Sequence, residues 1–197
     1  MAGNGSALER LKAGNARYVA GDVAAMGNGL AGRREETATG QSPFAAVLGC
    51  ADSRVAPEAV FDQGVGDLFV VRVAGQVADD AAIGSLEFAV DALGVELIVV
   101  LGHERCGAAG AALDLGLDGT APGHLPAVVG PFRPALETLL AGSSEGDRAA
   151  RVEELTALHV AATAKKLAAA SDVVARVPVV GAIYTLGTGE VGFQSAD

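Results

Sequence analysis

The strongest constraint on this chain is an alternation. Apolar runs of strand length at residues 44–49, 68–73, 95–101 and 177–186 are separated by segments with helical signals. This is the pattern of βαβ units, and it predicts an α/β fold with a mostly parallel central sheet flanked by helices. Pro57 opens a short helical stretch after the first run, since the first helical position needs no N–H partner. Ile83, Leu86, Val90 and Leu93 recur at helical spacing before the third run. Asp79 and Asp80 suit the start of that helix, where the dipole is positive, and Gly94 suits its end. A long helical pattern covers residues 147–170, and after Gly187, Thr188 and Gly189 a short extended tail fits an antiparallel edge strand. The expected sheet has four to five strands.

Outside these runs the signals are weaker. Ser6 followed by Glu9 resembles a capping box, and Leu8, Leu11 and Tyr18 before Gly21 give a short amphipathic helix. Residues 21–42 show no periodicity and read as a connecting arm, not as an element of their own. Residues 116–146, broken by Pro122, Pro126, Pro131 and Pro134, read as helical only in pieces. With 197 residues, half of them hydrophobic, the chain can bury one core. We expect a helix and arm over residues 1–42 joined to an α/β domain over 43–197, as a single unit without internal repeats.

Charge and composition exclude several functions. With 24 acidic against 14 basic residues the surface is strongly negative, so neither nucleic acid nor an anionic membrane is the expected partner. No basic segment followed by an apolar stretch opens the sequence, and no apolar run reaches the roughly 18 residues of a spanning helix. The expectation is a soluble cytoplasmic protein. Two cysteines are too few for a disulfide scaffold of this size.

Those two cysteines carry the chemistry. Cys50 ends the first apolar run, while His103 and Cys106 follow the third. Both sets therefore lie at carboxyl ends of predicted strands, where open α/β sheets bind their ligands. If these strands are neighbours, Cys50 meets His103 and Cys106 in a Cys₂His zinc site with one position left open, as catalysis requires. Taken singly, each residue has a plainer reading, the cysteine as a small hydrophobe and the histidine as a satisfied polar group. Their coincidence at matching strand ends favours a metal over those readings and over a disulfide. Asp52 and Arg54 flank Cys50. A carboxylate there can accept a hydrogen bond from zinc-bound hydroxide while Arg54 holds it; released by Arg54, Asp52 becomes a fourth ligand in a closed state, favoured at lower pH.

The run Gly49, Cys50, Ala51, Asp52, Ser53, Arg54, Val55, together with Gly102, His103, Glu104, Arg105, Cys106, Gly107, resembles the signature of the β-class carbonic anhydrase family. The similarity extends over residues 11–18, 66–72 and 84–90. What the resemblance implies is one Zn²⁺ per subunit on Cys50, His103 and Cys106, an Asp52 and Arg54 pair beside it, a homodimer or homotetramer, and a narrow site at the subunit interface. It further implies substrate contacts from Gln41, Phe69, Phe88 and Gly107. Two departures stand out: the run Arg72, Val73, Ala74, Gly75, Gln76 lacks the asparagine usual soon after the arginine, and Ala108 replaces a second glycine.

The function implied is reversible hydration of carbon dioxide to bicarbonate and a proton. Two thiolates leave zinc a weaker Lewis acid than three imidazoles would, so nearby dipoles must compensate. His124 and His159 are the free histidines from which a proton shuttle would be drawn. The alternatives are hydrolysis of carbon disulfide or carbonyl sulfide on the same scaffold, a noncatalytic zinc-dependent binding protein, and covalent catalysis by a Cys and His pair.

Overall fold

The structure, a computed structural model, describes residues 5–25, 30–142 and 146–194. Its helices are α1 (Ala7–Ala20), α2 (Leu30–Glu36), α3 (Pro57–Val60), α4 (Asp80–Asp91), α5 (Gly107–Leu115), α6 (Pro126–Val129), α7 (Arg133–Ala141) and α8 (Arg148–Ala168). The strands are β1 (Ala45–Gly49), β2 (Leu68–Arg72), β3 (Ile98–His103), β4 (Val179–Tyr184) and β5 (Val191–Phe193). They form one sheet in the order β2-β1-β3-β4-β5. All pairings are parallel except the last, where β5 returns antiparallel to β4. The expected mostly parallel sheet is thus found, with its antiparallel edge.

The alternation of side chains along β1 and β3 builds two cores. Ala45, Val47, Val99 and Leu101 face one side, with Ala7 and Leu11 of α1 and Val60 and Phe61 at the end of α3. Ala46, Leu48, Ile98 and Val100 face the other, against Leu86 and Ala89 of α4 and Val160 and Leu167 of α8. Every residue of these two strands is buried, which is why they read as unbroken apolar runs and not as alternating ones. A third cluster sits beyond the carboxyl ends: Cys50, Cys106, Ala109 of α5, Phe132, Leu136 and Leu139 of α7, and Leu155 of α8.

Local signals explain the element ends. Ser6 accepts from the Glu9 N–H at the start of α1, and Gly21 ends that helix in a left-handed conformation with φ 73°. Asp79 caps α4 and Asp147 caps α8 in the same way. Strand β3 starts at Ile98, three residues after the apolar run does, because the Val95 N–H still bonds Ala89 O at the end of α4. Helix α2 corrects the reading of residues 21–42 as a connecting arm without an element. Arg33 ties it down by donating to Val65 O and to Asp67 Oδ1, at 3.0 and 2.9 Å, a tertiary anchor that local periodicity does not reveal. The run 116–146 is helical in pieces, as expected, apart from 143–145, which lie outside the described residues.

Two locks fasten the first helix to the rest. The Asn15 side chain donates to Val60 O and to Gly189 O, and its oxygen accepts from the Val191 N–H. Asp62, fully buried with φ 43°, accepts from Arg17 Nε at 2.5 Å and from the N–H groups of Ala24 and Ala25. Among the described residues no helix is long and apolar enough to cross a membrane.

Candidate metal centre

Strand β1 is followed by β2 on one side, and the chain then crosses to place β3 on the other side of β1. The crevice at the carboxyl ends of β1 and β3 is therefore the switch point of the sheet. Cys50 leaves β1 there, directly after Gly49, while His103 is the last residue of β3 and so belongs to the strand itself. Arg105, with φ 51°, turns the chain back so that Cys106 starts α5 beside the other two. The sulfur atoms of Cys50 and Cys106 and a ring nitrogen of His103 lie within 4.8 Å of one another, and all three residues are buried.

The cluster fits a metal on two further observations. The His103 Nδ1 bonds Glu104 O at 2.8 Å; since a carbonyl only accepts, Nδ1 carries the proton and Nε2 presents a lone pair. That Nε2 is buried and has no hydrogen-bond partner, an arrangement that costs free energy unless a ligand takes it. The thiols behave as a matched pair. The hydrogen bond from Cys106 lowers the Cys50 thiol to about 4 despite burial, while the same contact and burial push Cys106 up. The backbone N–H of Gly75 adds a 3.3 Å hydrogen bond to Cys50 Sγ. Burial disfavours a charged His103, but the Cys50 sulfur, the Glu104 carbonyl and the Asp52 carboxylate together outweigh it and raise the imidazole, so a cation would have to displace any proton held at Nε2. One proton shared between two sulfurs is what a cation would displace.

Asp52 and Arg54 stand at the rim. Arg54 Nε donates to Asp52 Oδ1 at 2.9 Å and Nη2 to Oδ2 at 2.7 Å, a two-pronged pair with planar geometry on both sides. Asp52 Oδ2 is also 3.9 Å from His103 Nε2, so the carboxylate faces the cluster. The Arg54 guanidinium, working against partial burial, holds the Asp52 carboxyl far below the usual carboxylate range. Arg72 supports the loop from β2, donating to Cys50 O at 3.0 Å and to Asp52 O at 2.6 Å. Sequence reasoning gave Arg72 no role, although an arginine closing the strand next to the crevice is a readable signal.

The remaining expected site residues are dispersed within the subunit. Gly107 opens α5 next to Cys106, and a side chain there would meet nothing within 4 Å. Gln41 is exposed and precedes the amino end of β1, whereas Cys50 follows its carboxyl end. Phe69 pairs with Ala46, also near the amino ends, and its ring lies 6.3 Å from that of half-exposed Phe88. His124 is exposed in the loop before α6. His159 is 2% exposed and stacks on Phe132 with ring centroids 3.7 Å apart; burial lowers it to about 4, so it is a packed, neutral imidazole.

Comparison with known proteins finds similarity over most of the chain and of its fold. Residues 45–191 match the family model for carbonic anhydrase. Carbonic anhydrase 2 of Mycobacterium tuberculosis is 44% identical over 191 residues, 93% of this chain and 89% of that relative. The crystal structure of a β-carbonic anhydrase of Aspergillus fumigatus aligns with a TM-score of 0.74 at 30% identity, covering 83% of this chain and 80% of that one. A tetrameric β-carbonic anhydrase of Sordaria macrospora aligns with a TM-score of 0.71 at 26% identity, over 87% and 94% of the two chains.

Proposed function

Since the chain belongs to the β-class carbonic anhydrase family, we propose that it hydrates carbon dioxide reversibly at a zinc ion held by Cys50, His103 and Cys106. The observation that carries this reading is the buried Cys₂His cluster with the Asp52 carboxylate turned toward it. Two thiolates and one imidazole leave the fourth position of a tetrahedral site free. Zinc, when bound, supplies a Lewis acid that brings the pKa of water toward ~7 and makes it a nucleophile for carbon dioxide.

The chain's own groups do the rest. Asp52, kept ionised, can only accept a hydrogen bond, and so turns a lone pair of the attacking oxygen toward the substrate carbon. Arg54 keeps that carboxylate from the metal by occupying both of its oxygens. If Arg54 released it, Asp52 would be free to ligate the zinc itself and would shut the site, a closure favoured at lower pH. Zinc-loaded structures at low and high pH, both with an intact Asp52 and Arg54 pair, would count against closure. Gly107 lies next to Cys106, where we assign it a substrate contact. Gln41, Phe69 and Phe88 lie away from Cys50 in one subunit, so we assign them to the substrate pocket of a neighbouring subunit in a dimer or tetramer. Support comes from the tetrameric relative and from β2, which has a sheet partner on one side only among the described residues. Two free thiols that must stay reduced to bind metal favour a cytoplasmic location.

Stopped-flow hydration with zinc content measured on the same sample tests the reading. Rapid turnover that tracks zinc occupancy is expected; a zinc-loaded protein silent from about pH 6 to 9, around the ~7 of zinc-bound water, overturns it in favour of sulfur analogues or a binding role.

A further inference from the structure

The family signature covers residues 49–55 and 102–107, yet a backbone hydrogen bond to the Cys50 sulfur comes from Gly75, on a different loop. Gly75 sits in the 3₁₀ turn Ala74–Gln76 with φ 70° and ψ 19°, a conformation that glycine adopts without strain. Its surroundings are tight: a side chain there would come within 2.7 Å of Phe132 and 3.0 Å of Ala108. The other end of the same residue is held as well. The Gly75 carbonyl bonds His159 Nε2 at 3.1 Å. Because the carbonyl only accepts, Nε2 must carry the proton, and the buried Nδ1 is left bare and without a partner. Accepting that uncompensated nitrogen makes sense only if the donor on the opposite side does something useful.

We propose that His159 is a positioning residue for the metal centre: its Nε2–H fixes the Gly75 carbonyl, and so keeps the Gly75 N–H aimed at the Cys50 sulfur. Phe132 holds the imidazole by stacking, and Ala108 closes the wall beside Gly75. The alanine that departs from the family's second glycine thereby becomes part of the support. An N–H donated to a ligating thiolate withdraws charge from the sulfur, which offsets the weak Lewis acidity that two thiolates impose. This inference rests on the reading of Cys50 as a metal ligand.

The test uses the full-length protein loaded with cobalt(II), whose thiolate-to-metal charge-transfer band reports the electron richness of the sulfurs. His159→Phe keeps the stack on Phe132 and removes the donor; His159→Gln returns an N–H donor. In His159→Phe we expect the band to move to lower energy and metal affinity, measured by chelator competition, to fall by about 10- to 100-fold. His159→Gln should recover most of both. A folded His159→Phe with an unmoved band and affinity within about twofold of wild type, well short of that range, overturns the proposal. In unaltered protein, nitrogen shifts of the His159 ring should show Nε2 protonated and Nδ1 bare, and the opposite tautomer overturns the proposal without any variant. Absence of a charge-transfer band from wild type would instead overturn the metal assignment of Cys50, which keeps the two failures apart.

Discussion

Two aspartate and arginine pairs in this protein use the same chemistry for opposite ends. Asp62 and Arg17 join the turn after α3 to helix α1, and Asp52 and Arg54 join two positions of one loop at the metal cluster. The Asp62 side chain is fully buried and saturated, taking the Arg17 guanidinium and two backbone N–H groups. The Asp52 side chain is 18% exposed, its arginine 48%, and one of its oxygens looks toward His103. A carboxylate whose acceptor sites are filled from several segments is a lock. One held by a single solvent-exposed arginine can be released, which suits a group that opens and shuts a site and not a structural lock.

Exchanging the roles should therefore fail in distinct ways. Asp62→Ala leaves buried donors unmatched and should cost about 3 kcal/mol of stability by chemical denaturation. Asp52→Ala should leave the melting temperature close to wild type and lower carbon dioxide hydration by about 100-fold in stopped flow. The comparison breaks if Asp52→Ala unfolds the protein or Asp62→Ala leaves it as stable as before.

Acid sharpens the same contrast. Burial alone would raise the Asp62 carboxyl, but the hydrogen bonds from Arg17, Ala25 and Ala24 outweigh it and hold it below the usual range. A depressed carboxyl stabilises the fold fully above its unfolded value of about 3.9 and ceases to as pH falls through the folded value. The stability gap between wild type and Asp62→Asn should accordingly be constant near neutrality and shrink below about pH 4, as followed by denaturation at each pH. Arg54→Gln, which loosens the releasable pair, should reduce hydration by about tenfold at neutral pH and by more under mild acid, as measured by the pH dependence of turnover. The smallest effect belongs to the exposed cap of α1, where Ser6→Ala should cost about 0.5–1 kcal/mol in a thermal melt and leave turnover unchanged.

The Asp52 and Arg54 pair and the clustering of Cys50, His103 and Cys106 were legible in the sequence because each lies within a few residues of a strand end. The adjacency of β1 and β3 that brings Cys50 to His103 was a conditional inference from the alternation, and the register Gly49 to Leu101 supplies it. The saturated pair was not legible. Arg17 and Asp62 are 45 positions apart, and nothing local marks Asp62 as buried. The same holds for Gly75 and His159, separated by 84 positions, and for Arg33, whose anchor on the residue 65–67 loop makes α2 a helix. Periodicity reports which face of an element is apolar; it carries no information about which distant donor meets which acceptor.

The clasp that Asn15 makes with Gly189 and Val191 has a consequence for synthesis. Its partners are 174 and 176 positions downstream, so a growing chain can hold its first helix through Val60 and Asp62 but cannot complete this clasp until the last strand has left the ribosome. The three candidate ligands, all between residues 50 and 106, emerge well before that. Nascent chains can thus bring both thiols together before the Asn15 clasp closes. Contacts of such long range also slow folding. Metal capture ahead of that final closure would stabilise the early half of the molecule while the clasp waits for its partner.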